Sequence, residues 1–176
     1  MMQEFAQAVK DTSRGVLRGV HTVLPGEIVD YDPAAATAQV RPVMQFRRPD
    51  GTYLDYPVLS GVPVLFPQGA GQRASIGFPV EPGDGCLILL AEESLDYWRF
   101  SRQTEARLPF DLTNAVCIPG LFRQGGPAAQ EASSCGGVVL CAGDSRLILG
   151  PEGVEMRGNV TVSGNLFVSG RITSGE

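Results

Sequence analysis

The sequence has little of what catalysis and nucleic-acid binding usually require. It contains a single histidine, His21, and a single lysine, Lys10, and its 19 acidic side chains outnumber its 14 basic ones. Nucleic-acid-binding proteins usually present a basic stripe to the phosphates, and this sequence offers no obvious stripe. Motifs of serine hydrolases, zinc proteases and nucleotide-binding proteins are also missing. We therefore expect a protein that is not an enzyme, holds no cofactor or metal and recognises no nucleic-acid sequence.

Long apolar runs are absent too, and the cysteines form no motif. No run approaches the ~20 residues of a membrane-spanning helix, and the first residues lack the apolar core of a signal peptide. Cys86, Cys117, Cys135 and Cys141 are irregularly spaced, which favours buried thiols in a reducing compartment over zinc ligands. A disulfide bridge between Cys135 and Cys141 is the alternative. The sequence therefore gives no support for export by a signal peptide. It gives none for a structural zinc site either.

Glycine and proline, by contrast, are abundant, with 22 and 13 of the 176 residues. Together they make up about a fifth of the chain, against a usual share of ~12%. Both disfavour helix interiors, so a helical bundle is excluded and an all-β fold of short strands and many turns is expected. Strand-like apolar patterns occur at 21–31, 36–44, 56–66, 73–80 and 86–91. Residues 20–118 therefore predict a small closed barrel.

The segments on either side of the barrel region differ from it in composition. In residues 1–19, Phe5, Val9 and Val16 lie at roughly helical spacing and predict a short amphipathic helix that docks on a partner. A frayed terminus is the alternative, because the apolar face is narrow. Residues 119–135 are rich in glycine, alanine, proline and serine and predict a linker. The barrel is thus expected between a docking segment and a linker to a further unit.

The strongest pattern is a six-residue repeat within residues 136–176. The units VEMRGN, VTVSGN and LFVSGR follow one another from residue 154, and an imperfect fourth unit begins at residue 172. Alternating apolar residues give a strand with one apolar face, and the glycine in fifth place permits a bend. Such a strand has no opposite wall within its own chain, whereas three chains wound together supply three walls. We therefore predict a trimeric β-prism, with ordinary hairpins as the alternative. Its core residues are Val154, Met156, Val160, Val162, Leu166, Val168 and Ile172.

Three segments of the middle region are specific enough to compare with a known family. They are PVLSGVPVLFP at 57–67, PGDGCLILLAE at 82–92 and DLTNAVCIPGL at 111–121. In this order, within residues 20–122, they resemble the membrane-puncturing spike of contractile-tail phages, the central spike protein of the tail baseplate. The resemblance implies an N-terminal OB-fold barrel at 20–118, followed by a short triple-stranded β-helix at 136–176, in a homotrimer.

The same resemblance implies a place and a task in the virion. The spike would be assembled in the bacterial cytoplasm, lie on the tail axis beneath the tail hub protein and close the tail tube. When the sheath contracts, it would be driven through the host outer membrane. Phe5, Val9 and Val16 would then be the residues that dock on the hub.

The sequence departs from the family at the tip. Members that form their own tip end in a long needle whose apex histidines hold an iron ion. This sequence has no histidine after His21, so we expect no apical metal. We expect instead a separate tip protein that docks at Ile172 and Glu176, or a blunt needle.

Three other functions are open at this stage. An OB-fold module with an oligomerising β tail would bind nucleic acid or a glycan. The aromatic run 97–100 would then be a platform on which bases or sugars stack. The preferred interpretation of that run, however, is that its residues belong to the core or to an interface. A hydrolase of cell-wall polysaccharide would use Glu92, Glu93 and Asp96, although a solvated acidic loop is the preferred interpretation. A trimeric adhesin would share the prism but would need a distal binding head.

Overall fold

The computed structural model describes residues 5–7, 9–10, 12–13, 20–102 and 109–173. Strands dominate these residues and helices are few, in agreement with the predicted prevalence of β structure. The chain divides into two units, Met1–Arg123 and Gln124–Glu176. Their boundary falls inside residues 119–135, which the composition assigns to a linker. Within the described residues, no helix is long and apolar enough to cross a membrane.

The first unit is built on a curled five-stranded antiparallel sheet. The strands of the unit are β1 (Val23–Asp32), β2 (Thr37–Pro42), β3 (Gln45–Arg47), β4 (Tyr53–Asp55), β5 (Leu59–Pro63), β6 (Gln68–Gly69), β7 (Ala74–Ser75), β8 (Gly85–Leu90) and β9 (Ala115–Pro119). The main sheet has the order β5-β2-β1-β8-β9, and β3 with β4 and β6 with β7 form separate two-stranded sheets. A short helix, α1 (Asp96–Phe100), and a 3-10 turn (Leu112–Asn114) lie between β8 and β9 in the chain.

The two edge strands of the main sheet approach each other, which gives it the form of a half-barrel. Val64, directly after β5, forms a parallel bridge with Cys117 of β9, and the next N–H of the chain donates a 2.8 Å hydrogen bond to the Cys117 carbonyl oxygen. Alternate residues of β1, β2 and β8 point into the curl, as the period of two predicts, and Ile28, Val40 and Ile88 are fully buried there. The core consists of Leu24, Ile28, Ala38, Val40, Leu59, Val62, Val64, Val80, Cys86, Ile88, Leu90, Ala115 and Cys117.

Four of the five predicted strands correspond to strands of the main sheet, and the fifth is mostly irregular. The run 73–80 contributes only the two residues of β7, because Gly77 is a poor strand former and Pro79 has no N–H for a ladder. The run 86–91 forms β8, but it is not buried on both faces as its continuous apolar character suggested. Its alternate residues from Cys86 are buried, and Leu87 and Leu89 are half-buried.

Gly85 opens β8 where a later part of the chain passes very close to it. Its carbonyl oxygen accepts hydrogen bonds from the N–H groups of Gly120 (3.0 Å) and Leu121 (3.1 Å), and a Cβ added at Gly85 would overlap the Leu121 carbonyl oxygen. We expect Gly85→Ala to lower the free energy of unfolding by about 1–3 kcal/mol through overpacking, measured by urea denaturation and far-UV circular dichroism. Gly77→Ala is the matched control, because a Cβ there meets nothing within 4 Å. Equal losses in the two variants would contradict the prediction.

The second unit combines a helix with a three-stranded antiparallel sheet. Its elements are α2 (Pro127–Cys135), β10 (Val138–Ala142), β11 (Ser145–Gly150) and β12 (Gly153–Arg157), and the sheet has the order β10-β11-β12. The helix occupies the second half of the segment that the composition assigns to a linker. Pro127 lies in its first turn, where a missing N–H costs nothing, and Gly136 in a left-handed conformation (φ 62°) ends it. Alanines between these two residues favour the helix.

The later part of the hexad repeat, residues 158–173, belongs to no strand of the described chain, and every one of these residues is exposed. The first hexad lies largely in β12, which pairs with β11 as a hairpin. Gly158 (φ 121°) and Gly164 (φ 156°) have positive φ, so bends fall where the repeat places glycine. The alternative prediction of ordinary hairpins therefore applies to the first hexad and not to residues 158–173.

The predicted docking segment is described only in part. Residues 5–7, 9–10 and 12–13 are helical and exposed, and they include Phe5 and Val9. Val16 of this segment and Glu176 of the predicted tip site lie outside the described residues. Docking on a hub and docking of a tip protein both stay predictions.

Candidate interaction surface

The residues predicted to form the trimer core lie on the surface of the second unit. Val154 and Met156 alternate along β12 and are 62% and 58% exposed. The other members of the set follow in 158–173 and are exposed as well. These are Val160, Val162, Leu166, Val168 and Ile172. Large contiguous apolar surfaces on soluble proteins usually mark interaction sites, so this stretch is a candidate interaction surface.

The three-stranded sheet extends this surface with residues that the clear hexads do not include. The strand register places Leu149 between residues 138 and 154 in one cross-strand row, and Leu147 between residues 140 and 156 in the next. Residues directly opposite each other in an antiparallel sheet share a face, so both rows lie on one side. We call this side the apolar face. It consists of Val138, Leu140, Leu147, Leu149, Val154 and Met156.

Four members of the apolar face were missed by the sequence-based prediction of the core. They are Val138, Leu140, Leu147 and Leu149, and all except the half-buried Leu147 are exposed. The signal that could have found them is the alternation in VVLCAG and SRLILG, which are looser relatives of the hexads. Alternation alone does not say which residues of two strands lie side by side, and the register supplies that information.

The opposite face of the same sheet carries the charged side chains, and α2 packs against β10. Ile148 is buried on this side. Glu131 of α2 forms ion pairs with Arg146 (3.4 Å) and Arg157 (2.7 Å). A hydrogen bond donated by Arg157 also lowers the pKa of the Glu155 carboxyl. The sheet therefore has one face packed within its own chain and one apolar face that is not.

The residues considered for hydrolysis and metal binding do not form a catalytic or metal-binding cluster in the described part of the chain. Glu92 and Glu93 lie in an exposed loop after β8, and the exposed Asp96 opens α1. The Nε2 atom of His21 lies 3.1 Å from the Tyr56 hydroxyl oxygen, with the two rings edge to face. In the part of the chain that the structure describes, no group of three His, Cys, Asp or Glu side chains is placed to hold a metal ion.

The aromatic run 97–100 lies on α1, which buries none of its residues. Trp98 is 81% exposed, and Tyr97 and Phe100 are exposed too. The Arg99 guanidinium carbon lies 4.9 Å from the Phe100 ring centroid, and Arg99 donates a 3.3 Å hydrogen bond to the Gly61 carbonyl oxygen. The run is therefore not part of the core, because the short helix exposes its aromatic side chains; its interpretation as an interface stays a prediction.

The cysteines follow the prediction only in part. Cys86 and Cys117 are buried in the neighbouring strands β8 and β9, and the hydrogen bond with Cys86, together with burial, raises the pKa of the Cys117 thiol. Cys141, however, is exposed and Cys135 is half-buried, because both lie in the second unit outside that core. All four are free thiols, so the alternative of a Cys135–Cys141 bridge does not hold.

A comparison with protein-family models matches residues 24–120 to the Phage protein Gp138 N-terminal domain. The match covers more than half of the chain and takes in the main sheet from Leu24 onward. No curated protein matches the sequence. The family match agrees with the phage origin that the resemblance implies, and it indicates a phage structural protein and a virion component. The chain belongs to the family of phage proteins that carry the Gp138 N-terminal domain.

Proposed function

We propose that this protein is the central spike of a contractile phage tail, a homotrimer that closes the tail tube and punctures the host outer membrane when the sheath contracts. The observation that carries the proposal is the hexad repeat. Its apolar residues follow a phage protein domain in the chain and are exposed. Those between residues 158 and 173 belong to no strand. Three such segments wound around one axis would cover these residues in a triple-stranded β-helix.

The first unit would act as the base of this spike. Its curled sheet, whose edge strands meet at the bridge between Val64 and Cys117, supports an OB-fold barrel. An OB-fold that bound nucleic acid would need a basic surface, and the net charge of −5 argues against that use.

The work of the spike would be mechanical rather than chemical. In an intertwined β-helix each strand pairs with strands of the other chains, so one chain can leave only if many hydrogen bonds break together. Resistance of this kind is kinetic, because it depends on the height of the unfolding barrier. A protein pushed along its axis needs this resistance, and it needs no catalytic residue, cofactor or bound metal for the task.

Two partners would complete the assembly. Phe5, Val9 and Val16 would contact the tail hub protein, and the exposure of Phe5 and Val9 is consistent with that role. A separate tip protein would contact Ile172, which is 74% exposed, and Glu176. The host outer membrane would be a transient partner during contraction.

Immunogold electron microscopy of purified tails tests the assignment to the spike. We expect antibodies against the chain to label the axial end of the baseplate in extended tails, because the proposed spike closes the tube there. Particles from a phage that lacks the gene should show no label, and particles from the same phage complemented with the wild-type gene should regain it. The two preparations control for antibody specificity. Gold on fibres that radiate from the baseplate would instead indicate an adhesin and would contradict the proposal.

A further inference from the structure

We propose that a small pocket of the first unit binds an arginine side chain of a partner protein. The pocket has a volume of about 250 Å³ and lies where the turn before β8 meets the segment after β9. Small-molecule sites usually measure ~300–1,000 Å³, so this volume suits a single side chain better than a cofactor or substrate. The pocket is lined by two aromatic rings, two prolines and two carboxylates, those of Phe78, Phe122, Pro79, Pro119, Glu81 and Asp84.

Backbone hydrogen bonds hold the two sides of the pocket in place. Ile28 of β1 donates its N–H to the Asp84 carbonyl oxygen and accepts the N–H of Gly83, both at 2.8 Å, which anchors the turn. The segment after β9 is anchored by the two hydrogen bonds to the Gly85 carbonyl oxygen. The walls are therefore in position before a ligand enters, and binding does not have to order them.

The aromatic walls favour a cation, and arginine in particular. The Phe78 ring packs edge to face against Phe66, with ring centroids 5.2 Å apart, and Phe122 is 61% exposed. The face of an aromatic ring attracts a positive charge, most often that of arginine. The planar guanidinium stacks on rings and the aliphatic stem of arginine packs on apolar surface such as the two prolines, whereas the charge of lysine is compact and strongly hydrated.

The charged groups of the pocket complement the same ligand. Both are carboxylates, and within the described residues the Glu81 carboxylate has no hydrogen-bond or ion-pair partner. Asp84 accepts the Glu81 N–H at Oδ2 (2.9 Å), which leaves Oδ1 for a ligand. A guanidinium supplies N–H donors in a geometry that matches carboxylate oxygens, whereas an anion would be repelled. Among the described residues, no third His, Cys, Asp or Glu side chain joins the two carboxylates to hold a metal ion.

The net charge of the chain indicates where the arginine comes from. At −5, the chain attracts a basic protein and repels a second copy of itself. The inference does not depend on the homotrimer, because the proposed trimer contacts lie in the second unit and the pocket lies in the first.

A ligand-observed NMR titration of the full chain tests the chemistry of the pocket. The probes are N-acetyl-arginine methylamide and the citrulline derivative, which has nearly the same shape without the charge. We expect the arginine probe to bind about tenfold more tightly, because the neutral probe loses both the carboxylate and the ring contacts. Equal affinities, or no detectable binding of the arginine probe, would overturn the inference.

Two variants locate the binding. Glu81→Gln should weaken the arginine probe about two- to fivefold, since an exposed charge contact is lost. Glu92→Gln is the matched control, because it removes the same charge from an exposed loop outside the pocket and should leave the affinity unchanged. Phe122→Leu keeps an apolar wall but loses the ring, and it should also weaken binding about two- to fivefold. Equal affinities in all variants would place the probe elsewhere and contradict the inference.

Photo-crosslinking in purified phage particles tests the source of the arginine. A phage that lacks the gene is complemented with a chain that carries p-benzoylphenylalanine at position 122, with or without Glu81→Gln. Mass spectrometry should find the crosslink on an arginine-containing peptide of a different protein, in a yield that Glu81→Gln lowers about two- to fivefold. A crosslink to a peptide of this same chain, or a yield that Glu81→Gln leaves unchanged, would overturn the assignment to a partner protein.

Discussion

Replacing Val162 by aspartate is expected to convert the proposed homotrimer of about 56 kDa into a monomer near 18.7 kDa. Val162 is the second apolar residue of the second hexad, where three copies would meet at the axis. The substitution would place three like charges in a desolvated core, and each unpaired buried charge costs several kcal/mol. Light scattering measures the mass, and an SDS gel of unheated samples shows whether the SDS-resistant trimer band that we expect of the wild type is lost.

Thr161→Asp is the matched control for this experiment. Thr161 precedes Val162 directly, and neighbouring residues of an extended strand point to opposite sides, so its added charge would lie outside the core. We expect this variant to keep the trimer mass. A Val162→Asp protein that still runs as a normal trimer would show that the register of the prism is wrong. A monomeric wild type would remove the homotrimer altogether.

Ile88→Ala is expected to lower the free energy of unfolding of the first unit by about 2–5 kcal/mol, since it leaves a cavity in a tightly packed site. Ile88 lies in the middle of β8 and is fully buried, with β1 on one side and β9 on the other. Because the proposed trimer contacts lie in the second unit, the native mass should not change. Urea denaturation followed by circular dichroism measures the loss, and light scattering measures the mass.

Ile76→Ala removes the same atoms from an exposed position and is the control. Ile76 is 59% exposed after β7, so its truncation should cost little. Equal losses at the two positions would mean that the half-barrel is not the stable core of the first unit. Loss of the trimer in Ile88→Ala would mean that the first unit contributes to assembly, which the proposal does not include.

The strands of the main sheet differ in how well the sequence predicts them. β1 and β2 alternate between apolar and polar residues and β8 is a continuous apolar run, and these local patterns are enough to place the three strands. β9 was not predicted as a strand, because its five residues hold only a short apolar run. What makes it a strand is its pairing with β8, in which Ile88 lies opposite Cys117. That partner is far away in sequence, and a local pattern carries no information about it.

The helix α2 shows a similar limit. Its segment is rich in alanine and serine but flanked by glycines, so composition permits both a linker and a short helix. Isolated helices of this length are marginal in water, so contacts with the rest of the unit decide between the two. Here α2 packs against β10, and Glu131 adds ion pairs with Arg146 and Arg157.

The sequence by itself determined the β class, the region that forms the half-barrel and the repeat of apolar residues from Val154 onward. These features depend on local alternation, on glycine spacing and on composition, all of which are properties of short segments. Only the tertiary structure decided that β9 completes the half-barrel, that residues 97–100 lie outside the core and that the apolar face joins three strands. The reason is physical: which strand pairs with which, and in what register, depends on contacts between residues that are distant in the chain.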